Sequence, residues 1–150
     1  MAFTPRQLRV LMRIWPPYLG AGVRLREFAD DGSRVVVTHR LNRVTANALG
    51  TVFGGTMLSM TDPFYVLMGM QRLGSDYRIW DTETQIAFVK PGRGRVTAVM
   101  EFPDEVVEEV RRETAGGEKY LRWFESSIVD DDGSTVARLR KQVYFRRRTR

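Results

Sequence analysis

The spacing of apolar residues predicts three helices along the chain. In residues 4–15, apolar side chains recur every three or four positions, which predicts an amphipathic helix that ends at the pair of prolines that follows. Residues 54–73 are apolar on more than one side, so we expect this longer helix to be enclosed by the rest of the domain. A short third helix is predicted to start at Pro103 and to end at residues 115–117.

Alternation of apolar and polar residues predicts six strands. These strands comprise residues 23–28, 34–41, 79–90, 95–102, 119–129 and 135–145. Glycine-rich turns are predicted to join them into three antiparallel hairpins, with an Asp-Gly turn in the first and last and the PGRG of residues 91–94 in the middle one. Together they predict an α+β fold in which a curved antiparallel sheet wraps a long central helix. Since one sheet leaves a flank of that helix uncovered, we expect a homodimer, or a tetramer built from it.

The composition restricts the chemistry. With 150 residues the chain is predicted to form a single domain over residues 1–150. It contains no cysteine, which excludes disulfides and thiolate nucleophiles, and its one histidine, His39, lies in a predicted strand. No metal is therefore expected, and acid–base chemistry is left to carboxylates. The N-terminal segment does not resemble a secretory signal and no apolar run is long enough to span a bilayer, so we expect a cytoplasmic protein.

Positive charge is concentrated at the C-terminal end. The formal net charge is +6, and Arg146, Arg147, Arg148 and Arg150 contribute four of the positive charges. We interpret residues 146–150 as a solvated basic tail, although such a tail can also attract a polyanion. Because aromatic residues are not interleaved with these arginines, nucleic acid is not an expected partner.

One segment combines glycines with a carboxylate. Gly54 and Gly55 lie where the long helix is predicted to begin, and first-turn N–H groups without an intrahelical acceptor can bind an anion or a developing oxyanion. The alternative is that the two glycines only relieve close packing. Asp62 follows Gly55 by seven residues, which in a helix returns it to the same face about 10.5 Å further along. One helix therefore cannot bring both groups to one acyl carbon, whereas a two-fold related copy could.

The residue after Asp62 opens a second interpretation. Asp62-Pro63 has the pattern of a helix cap and first residue, so the carboxylate could cap a second helical piece instead of doing chemistry. Pro63 also lacks the N–H that would bind the Ser59 carbonyl, so a break in the helix is expected under either interpretation. Because the surrounding segment is apolar, we expect Asp62 to be buried.

A longer pattern in this region resembles a known family. The pattern N-x-L-G-T-x-[HF]-G-G, followed after seven residues by Asp, is formed here by Asn47, Leu49, Gly50, Thr51, Phe53, Gly54, Gly55 and Asp62. It resembles the signature of hotdog-fold thioesterases of the phenylacetic-acid-pathway and 4-hydroxybenzoyl-CoA type. The stretches FGGTMLSMTDPFY, IWD and FVKPGRG are similar to an uncharacterised branch of that superfamily near the thioesterase domain of YiiD. The order of elements agrees from residue 20 to residue 145.

The resemblance implies a hotdog fold, hydrolysis of acyl-CoA without a further cofactor, and roles for five residues. Asp62 would be the general base that activates water, or the nucleophile that attacks the thioester. The backbone N–H of Gly54, with Gly55 beside it, would bind the oxyanion, and Asn47 would place the carbonyl or the water. Asp81 falls near a second polar residue of the site in some relatives.

Residues that bind the substrate follow from the same resemblance. Phe53 stands where many relatives have histidine, which implies a more apolar acyl group or the loss of a step. Met57 suits a flexible acyl tunnel, although methionine also fills cores. Four cations lie where relatives contact the phosphates of coenzyme A: Lys90, Arg93, Arg140 and Lys141. Exposed cations are common on strands, so each could simply be solvated. The competing hypothesis is a hotdog domain that only binds acyl-CoA or a lipid.

Overall fold

Residues 3–148, which the computed structural model of the protein describes, form five helices and six strands. In chain order these are α1 (Pro5–Ile14), α2 (Pro16–Ala21), β1 (Val23–Phe28), β2 (Arg34–Arg40), α3 (Gly54–Ser59), α4 (Phe64–Leu73), β3 (Tyr77–Phe88), β4 (Arg95–Glu101), α5 (Asp104–Glu113), β5 (Lys119–Asp130) and β6 (Thr135–Arg147). All six strands form one curved antiparallel sheet around α3 and α4, which confirms the predicted fold class. None of these helices has the length and apolar character needed to span a bilayer.

Two of the three predicted hairpins are confirmed, and the middle one is wrong. The strand order is β1-β2-β4-β5-β6-β3, so β1 pairs with β2 and β5 with β6, as expected. β3 lies at the edge of the sheet against β6, with Trp80 opposite Tyr144, whereas β4 lies between β2 and β5. Residues 91–94 therefore connect strands that do not pair. A Pro-Gly turn reverses the chain locally, but the partner of a strand is decided by which buried faces meet.

The N-terminal helix is present, and the two prolines after it begin a second helix. α1 starts with a capping box in which Thr4 and Gln7 exchange side-chain and backbone hydrogen bonds. Trp15 is extended, as expected before a proline, and Pro16 and Pro17 occupy the first turn of α2, where a missing N–H is tolerated. Both helices pack against β1, the other edge of the sheet.

The central helix is interrupted, as Pro63 predicts. It consists of α3 and α4, separated by the turn at residues 60–63. The Ser59 carbonyl, which loses its helical donor because Pro63 has no N–H, accepts a hydrogen bond of 2.9 Å from the hydroxyl of Tyr18 on α2. Burial raises the pKa of the Tyr18 phenol, and the charge of Asp62 adds to that effect. The break is therefore a fixed part of the fold, with its freed carbonyl satisfied.

The inner face of the sheet holds the core. Phe124 of β5 lies 4.4 Å from the Tyr65 ring of α4 and 5.3 Å from the Phe102 ring, measured between ring centroids. Met60 and Phe64, on either side of the helix break, are fully buried as well. Each such side chain contributes about 1.5–3 kcal/mol by leaving water, so this packing fixes the broken helix against the sheet.

The C-terminal arginines are not all part of a solvated tail. β6 runs to Arg147, and Arg146 lies opposite Arg78 of β3 and donates from Nε to the carbonyl of Gly117 at 2.8 Å. The prediction of a tail from residue 146 is therefore wrong for its first two residues, because pairing with β3 holds them in the sheet. Residues 149 and 150 lie outside the described part of the chain.

Candidate active site

The break in the central helix leaves the Asp62 side chain accessible. This side chain is 61 % exposed, so the expected burial of Asp62 is wrong for a single chain. Pro63 occupies the cap position of α4, and no side chain caps that helix. The capping interpretation of Asp62 is wrong as well, because its carboxylate is bound by a lysine instead.

Asp62 is held by a lysine from β6. Nζ of Lys141 lies 3.0 Å from Oδ1 of Asp62 and 2.9 Å from Oδ2 of Asp81, and it also donates to the backbone carbonyl of Asp62. Lys141 is fully buried, whereas the Asp81 side chain is 28 % exposed. The structure thus joins two residues predicted for the site through a third that is predicted for another role. Asp62, Asp81 and Lys141 together form an acid–lysine cluster.

Strand geometry places the acid–lysine cluster on the inner face of the sheet. Side chains of β6 alternate, and its inward row contains Leu139, Lys141, Val143 and Phe145. On β3, Asp81 lies opposite Val143 and therefore faces the same side, and a bulge directly after it shifts the register of the strand. Neighbouring strands thus present the lysine and the aspartate to the break in the helix.

The two carboxylates compete for one ammonium. Burial raises the pKa of Asp81, the hydrogen bond and charge of Lys141 lower it, and the charge of Asp62 raises it again, with a net increase over its ordinary value. Oδ1 of Asp81 is buried and has no hydrogen-bond partner among residues 3–148. With both acids ionised, the acid–lysine cluster therefore carries a net negative charge.

The two glycines lie at the other end of α3. The backbone N–H groups of Gly54 and Gly55 donate to no acceptor within the described residues. A Cβ atom at Gly54 would lie 2.8 Å from Cζ of Phe88, and one at Gly55 would overlap the ring of Phe53, so a larger residue would displace these rings. Both rings are 56 % exposed. The glycines therefore do relieve close packing, and this role leaves their amides unoccupied.

A cleft of about 440 Å³, the glycine cleft, opens beside Gly54. Met57 and Phe88 form apolar parts of its wall, and Asn47 and Lys90 line its polar side. Met57 is almost fully buried, so it belongs to the core and to the cleft at once. An apolar wall next to a few polar groups is typical of a small-molecule site.

Asn47 organises the loop that leads to this cleft. Its Oδ1 accepts hydrogen bonds from the N–H groups of Leu49 and Thr51, at 2.9 Å and 3.1 Å, and its Nδ2 donates to Oγ1 of Thr51 at 2.9 Å. Asn47 therefore fixes the path of the chain toward Gly54. The second hydrogen of Nδ2 is not used by any described residue, and a role in placing a carbonyl or a water stays a prediction.

The four cations predicted to contact phosphates do not form one cluster. Lys90 pairs with a β5 aspartate at 2.5 Å, Arg140 pairs with a β5 glutamate at 3.1 Å, and Arg93 is exposed in the connection before β4. Arg140 and Lys141 are neighbours in β6 and face opposite sides of the sheet. A phosphate contact by Lys141 does not fit the structure, because its ammonium is enclosed and bound to two aspartates.

The sequence analysis does not predict that Lys141 is buried. The strand TVARLRKQVYF does contain a signal for this burial, because the alternation of its side chains places Lys141 at an inward position between Leu139 and Val143. A lysine at an inward position is rare unless acidic partners accompany it. The alternation could therefore predict that Lys141 has a buried acid as its neighbour, although it does not say which one.

Comparison with known proteins agrees with this fold. The model of a family described as Domain of unknown function (DUF4442) matches residues 5–145. No curated protein matches the chain. Among solved structures, a protein of unknown function from Pseudomonas aeruginosa, PA5026, described as a probable thioesterase, is 15 % identical with a TM-score of 0.85, and the match covers 99 % of each chain.

Two further solved structures have the same fold at similarly low identity. The thioesterase HI1161 from Haemophilus influenzae is 14 % identical with a TM-score of 0.70, over 97 % of this chain and 92 % of that chain. The E. coli PaaI protein from the phenylacetic acid degradation operon is 17 % identical with a TM-score of 0.65, over 96 % of this chain and 92 % of that chain. These likenesses confirm the hotdog fold, while the resemblance to one branch of the superfamily stays a prediction.

Proposed function

The chain belongs to the DUF4442 family of domains of unknown function, and we propose that it hydrolyses acyl thioesters, with acyl-CoA as the substrate and Asp62 as the catalytic carboxylate. The observation that carries the proposal is that Asp62 is accessible to solvent yet anchored by Lys141 at a break in the helix. A carboxylate bound through one oxygen presents the other in a fixed direction, which acid–base catalysis needs.

In the proposed reaction, Asp62 takes a proton from water as the water oxygen attacks the carbonyl carbon of the thioester. The carbonyl oxygen becomes an oxyanion, and the N–H groups of Gly54 and Gly55 stabilise it, by about 3 kcal/mol per donor as in other enzymes. The C–S bond then breaks, and the acyl group leaves as a carboxylic acid. Coenzyme A leaves as a thiolate, which takes up the proton that Asp62 removed from water. Direct attack by Asp62, through a mixed anhydride that water then hydrolyses, is the second form of the same proposal.

Two chains are needed to assemble this site. α3 separates Gly54 from Asp62, and its six residues span about 9 Å, so one chain cannot place both groups at the same carbon. β3 forms an edge of the sheet and brings Phe88 next to Gly54. These observations support a homodimer in which the glycine amides of one protomer face the carboxylate of its partner. Such a dimer would also cover the exposed rings of Phe53 and Phe88.

The first experiment replaces the carboxylate. Asp62→Ala is expected to abolish hydrolysis of a panel of acyl-CoA thioesters, while the dimer persists in size-exclusion chromatography with light scattering. Asp76→Ala is the matched control, because Asp76 is an exposed aspartate in the turn before β3. Equal turnover by Asp62→Ala and the wild type would refute the catalytic assignment. Saturable binding of acyl-CoA without turnover by the wild type would favour the hypothesis of a binding domain.

The second experiment tests whether the site is shared. Gly54→Pro removes one amide at the first position of α3, where proline is tolerated, whereas Gly54→Ala adds a Cβ and keeps the N–H. We expect Gly54→Pro to lower kcat by about 100-fold and Gly54→Ala to lower it much less. A mixed dimer of Gly54→Pro and Asp62→Ala chains retains one intact site of the two, so refolding the variants together should restore activity. Mixed dimers without any recovery would refute the shared site.

A further inference from the structure

A buried lysine needs acceptors for its ammonium. Lys141 is completely buried in the inward row of β6, between Leu139 and Val143. Transferring an ammonium from water into a protein interior is strongly unfavourable unless polar or charged partners compensate. Methionine would fill a similar volume without that cost. The presence of a lysine here is therefore explained by the groups that it binds.

All three N–H bonds of the Lys141 ammonium have an acceptor. They point to the backbone carbonyl of Asp62, to Oδ1 of Asp62 at 3.0 Å and to Oδ2 of Asp81 at 2.9 Å. No N–H is left to bind a substrate or to protonate a leaving group. Two of the three bonds reach the same residue, so they fix its main chain and its side chain together. Oδ2 of Asp62 accepts no hydrogen bond from residues 3–148 and is left for water.

We propose that Lys141 is a positioning residue that fixes the orientation of the Asp62 carboxylate, and that Asp81 weakens this effect by sharing the ammonium. The kinetic part of this proposal rests on the proposed function. Removing Lys141 would leave two facing carboxylates without a cation, which favours their protonated forms. Removing the charge of Asp81 would remove the carboxylate that competes with Asp62 for the Lys141 ammonium. The two substitutions therefore act in opposite directions.

The elements around the acid–lysine cluster add few titratable groups within residues 3–148. α2 contributes the buried phenol of Tyr18. β5 contributes Phe124, which lies opposite Lys141 in the strand register. Arg122, further along the same face of β5, is paired with Glu109 of α5 at 3.2 Å. The balance between one ammonium and two carboxylates therefore dominates the local electrostatics.

The test compares the pH dependence of kcat/KM for the wild type, Lys141→Met and Asp81→Asn with one acyl-CoA substrate. The acid limb of the pH profile is expected to move to higher pH in Lys141→Met and to lower pH in Asp81→Asn. On the plateau, Lys141→Met should lower kcat by about 10-fold to 100-fold with little change in KM, because the carboxylate is misplaced while the glycine cleft is unchanged. Lys119→Met, at an exposed position of β5, should leave the profile unchanged.

The direction of the two shifts decides the outcome. An acid limb that stays in place, or that moves in the same direction in both variants, would overturn the proposal. Opposite shifts cannot result from general misfolding, because partial loss of the fold would affect both variants alike. Should Lys141→Met not fold, Asp81→Asn still decides, since the amide oxygen of asparagine can accept the hydrogen bond from Lys141.

A second readout does not depend on catalysis. The Asp81 carboxyl is followed by carbon NMR against pH: Asp62→Asn is expected to lower its pKa, because a repelling charge is lost, and Lys141→Met is expected to raise it. If the wild type hydrolyses no acyl-CoA while the pKa of Asp81 shifts as expected, the proposed function fails and the coupling is supported. If hydrolysis is present and either the acid limb or the pKa of Asp81 stays in place, the coupling alone is refuted.

Discussion

Replacing Lys141 by methionine also tests how the acid–lysine cluster contributes to folding. The substitution keeps the approximate length of the side chain and removes its charge and three hydrogen bonds. It leaves the carbonyl of Asp62 without that donor and both carboxylates without a cation. The free energy of unfolding then depends on how well these groups regain water.

The magnitude follows from the exposure of the two acids. Breaking a buried ion pair by removing one partner costs about 3–5 kcal/mol. Asp62 is 61 % exposed and regains water readily, so its share is small, like that of a surface pair. Asp81 is 28 % exposed and its Oδ1 already lacks a partner, so most of the loss arises there. Because an ammonium no longer has to be buried, we expect a net loss of about 2 kcal/mol near pH 7, which lowers the melting temperature by about 4–8 °C.

The loss should also depend on pH, with a sign that the pKa of Asp81 determines. Burial raises this pKa in the folded protein, so the stability that Asp81 contributes is present at acidic pH and is lost as the pH rises through the raised value. Without Lys141, which lowers the pKa, the folded-state value rises further. The destabilisation by Lys141→Met should therefore be largest near neutral pH and should shrink as the pH falls, because Asp81 takes up its proton at a higher pH in the variant than in the wild type.

Urea unfolding near pH 7 and near pH 4.5 measures this difference. Lys119→Met is the matched control, since the same chemical change at an exposed strand position should alter the free energy of unfolding by less than about 0.5 kcal/mol. A variant that is as stable as the wild type near pH 7, or equally destabilised at both pH values, would refute the reasoning that Asp81 depends on the lysine.

Two further predictions concern the end of α2 and His39 of β2. Gly22 ends α2 with φ of +66°, and a Cβ there would lie 3.3 Å from the Thr45 side chain, so Gly22→Ala should cost about 1–2 kcal/mol in urea unfolding. Gly20→Ala, with open space around its Cβ, should instead gain up to about 1 kcal/mol, and equal effects would contradict the backbone argument. Burial lowers the pKa of His39, so stability is lost as the pH falls through its ordinary value of 6.5. His39→Gln should flatten this loss in urea unfolding between pH 7 and pH 5, and an unchanged slope would exclude His39 as its cause.

The break in the central helix is determined partly by the local sequence. Pro63 has no N–H in any conformation, so the sequence determines that the Ser59 carbonyl loses its helical donor. The group that replaces this donor, the hydroxyl of Tyr18, comes from 41 residues away, and no local pattern connects the two. The sequence therefore predicts the break, and the tertiary structure decides how the break is stabilised.

The candidate site is likewise predicted in part by the sequence and completed by the tertiary structure. The sequence singles out Asp62, and Asp81 follows from a resemblance, but neither pattern indicates that the two share a cation. Lys141 is predicted as a phosphate contact from the resemblance, with a solvated strand lysine as the alternative, and its inward position becomes decisive only once β6 is known to face the helix break. The cluster exists because β3 pairs with β6, which is the pairing that the turn at residues 91–94 obscures.

By itself the sequence determined the helical segments of α1, α3 with α4, and α5, the six strands, the outer hairpins and the proline break, because periodicity, glycine turns and a missing N–H act within a few residues. It did not predict α2. Only the tertiary structure decided the partner of β3 and the place of Lys141, whose nitrogen meets carboxylates that lie 79 and 60 residues away in the chain. The physical reason is that strand order and the compensation of a buried charge depend on which distant faces leave water together, and this property belongs to the whole fold.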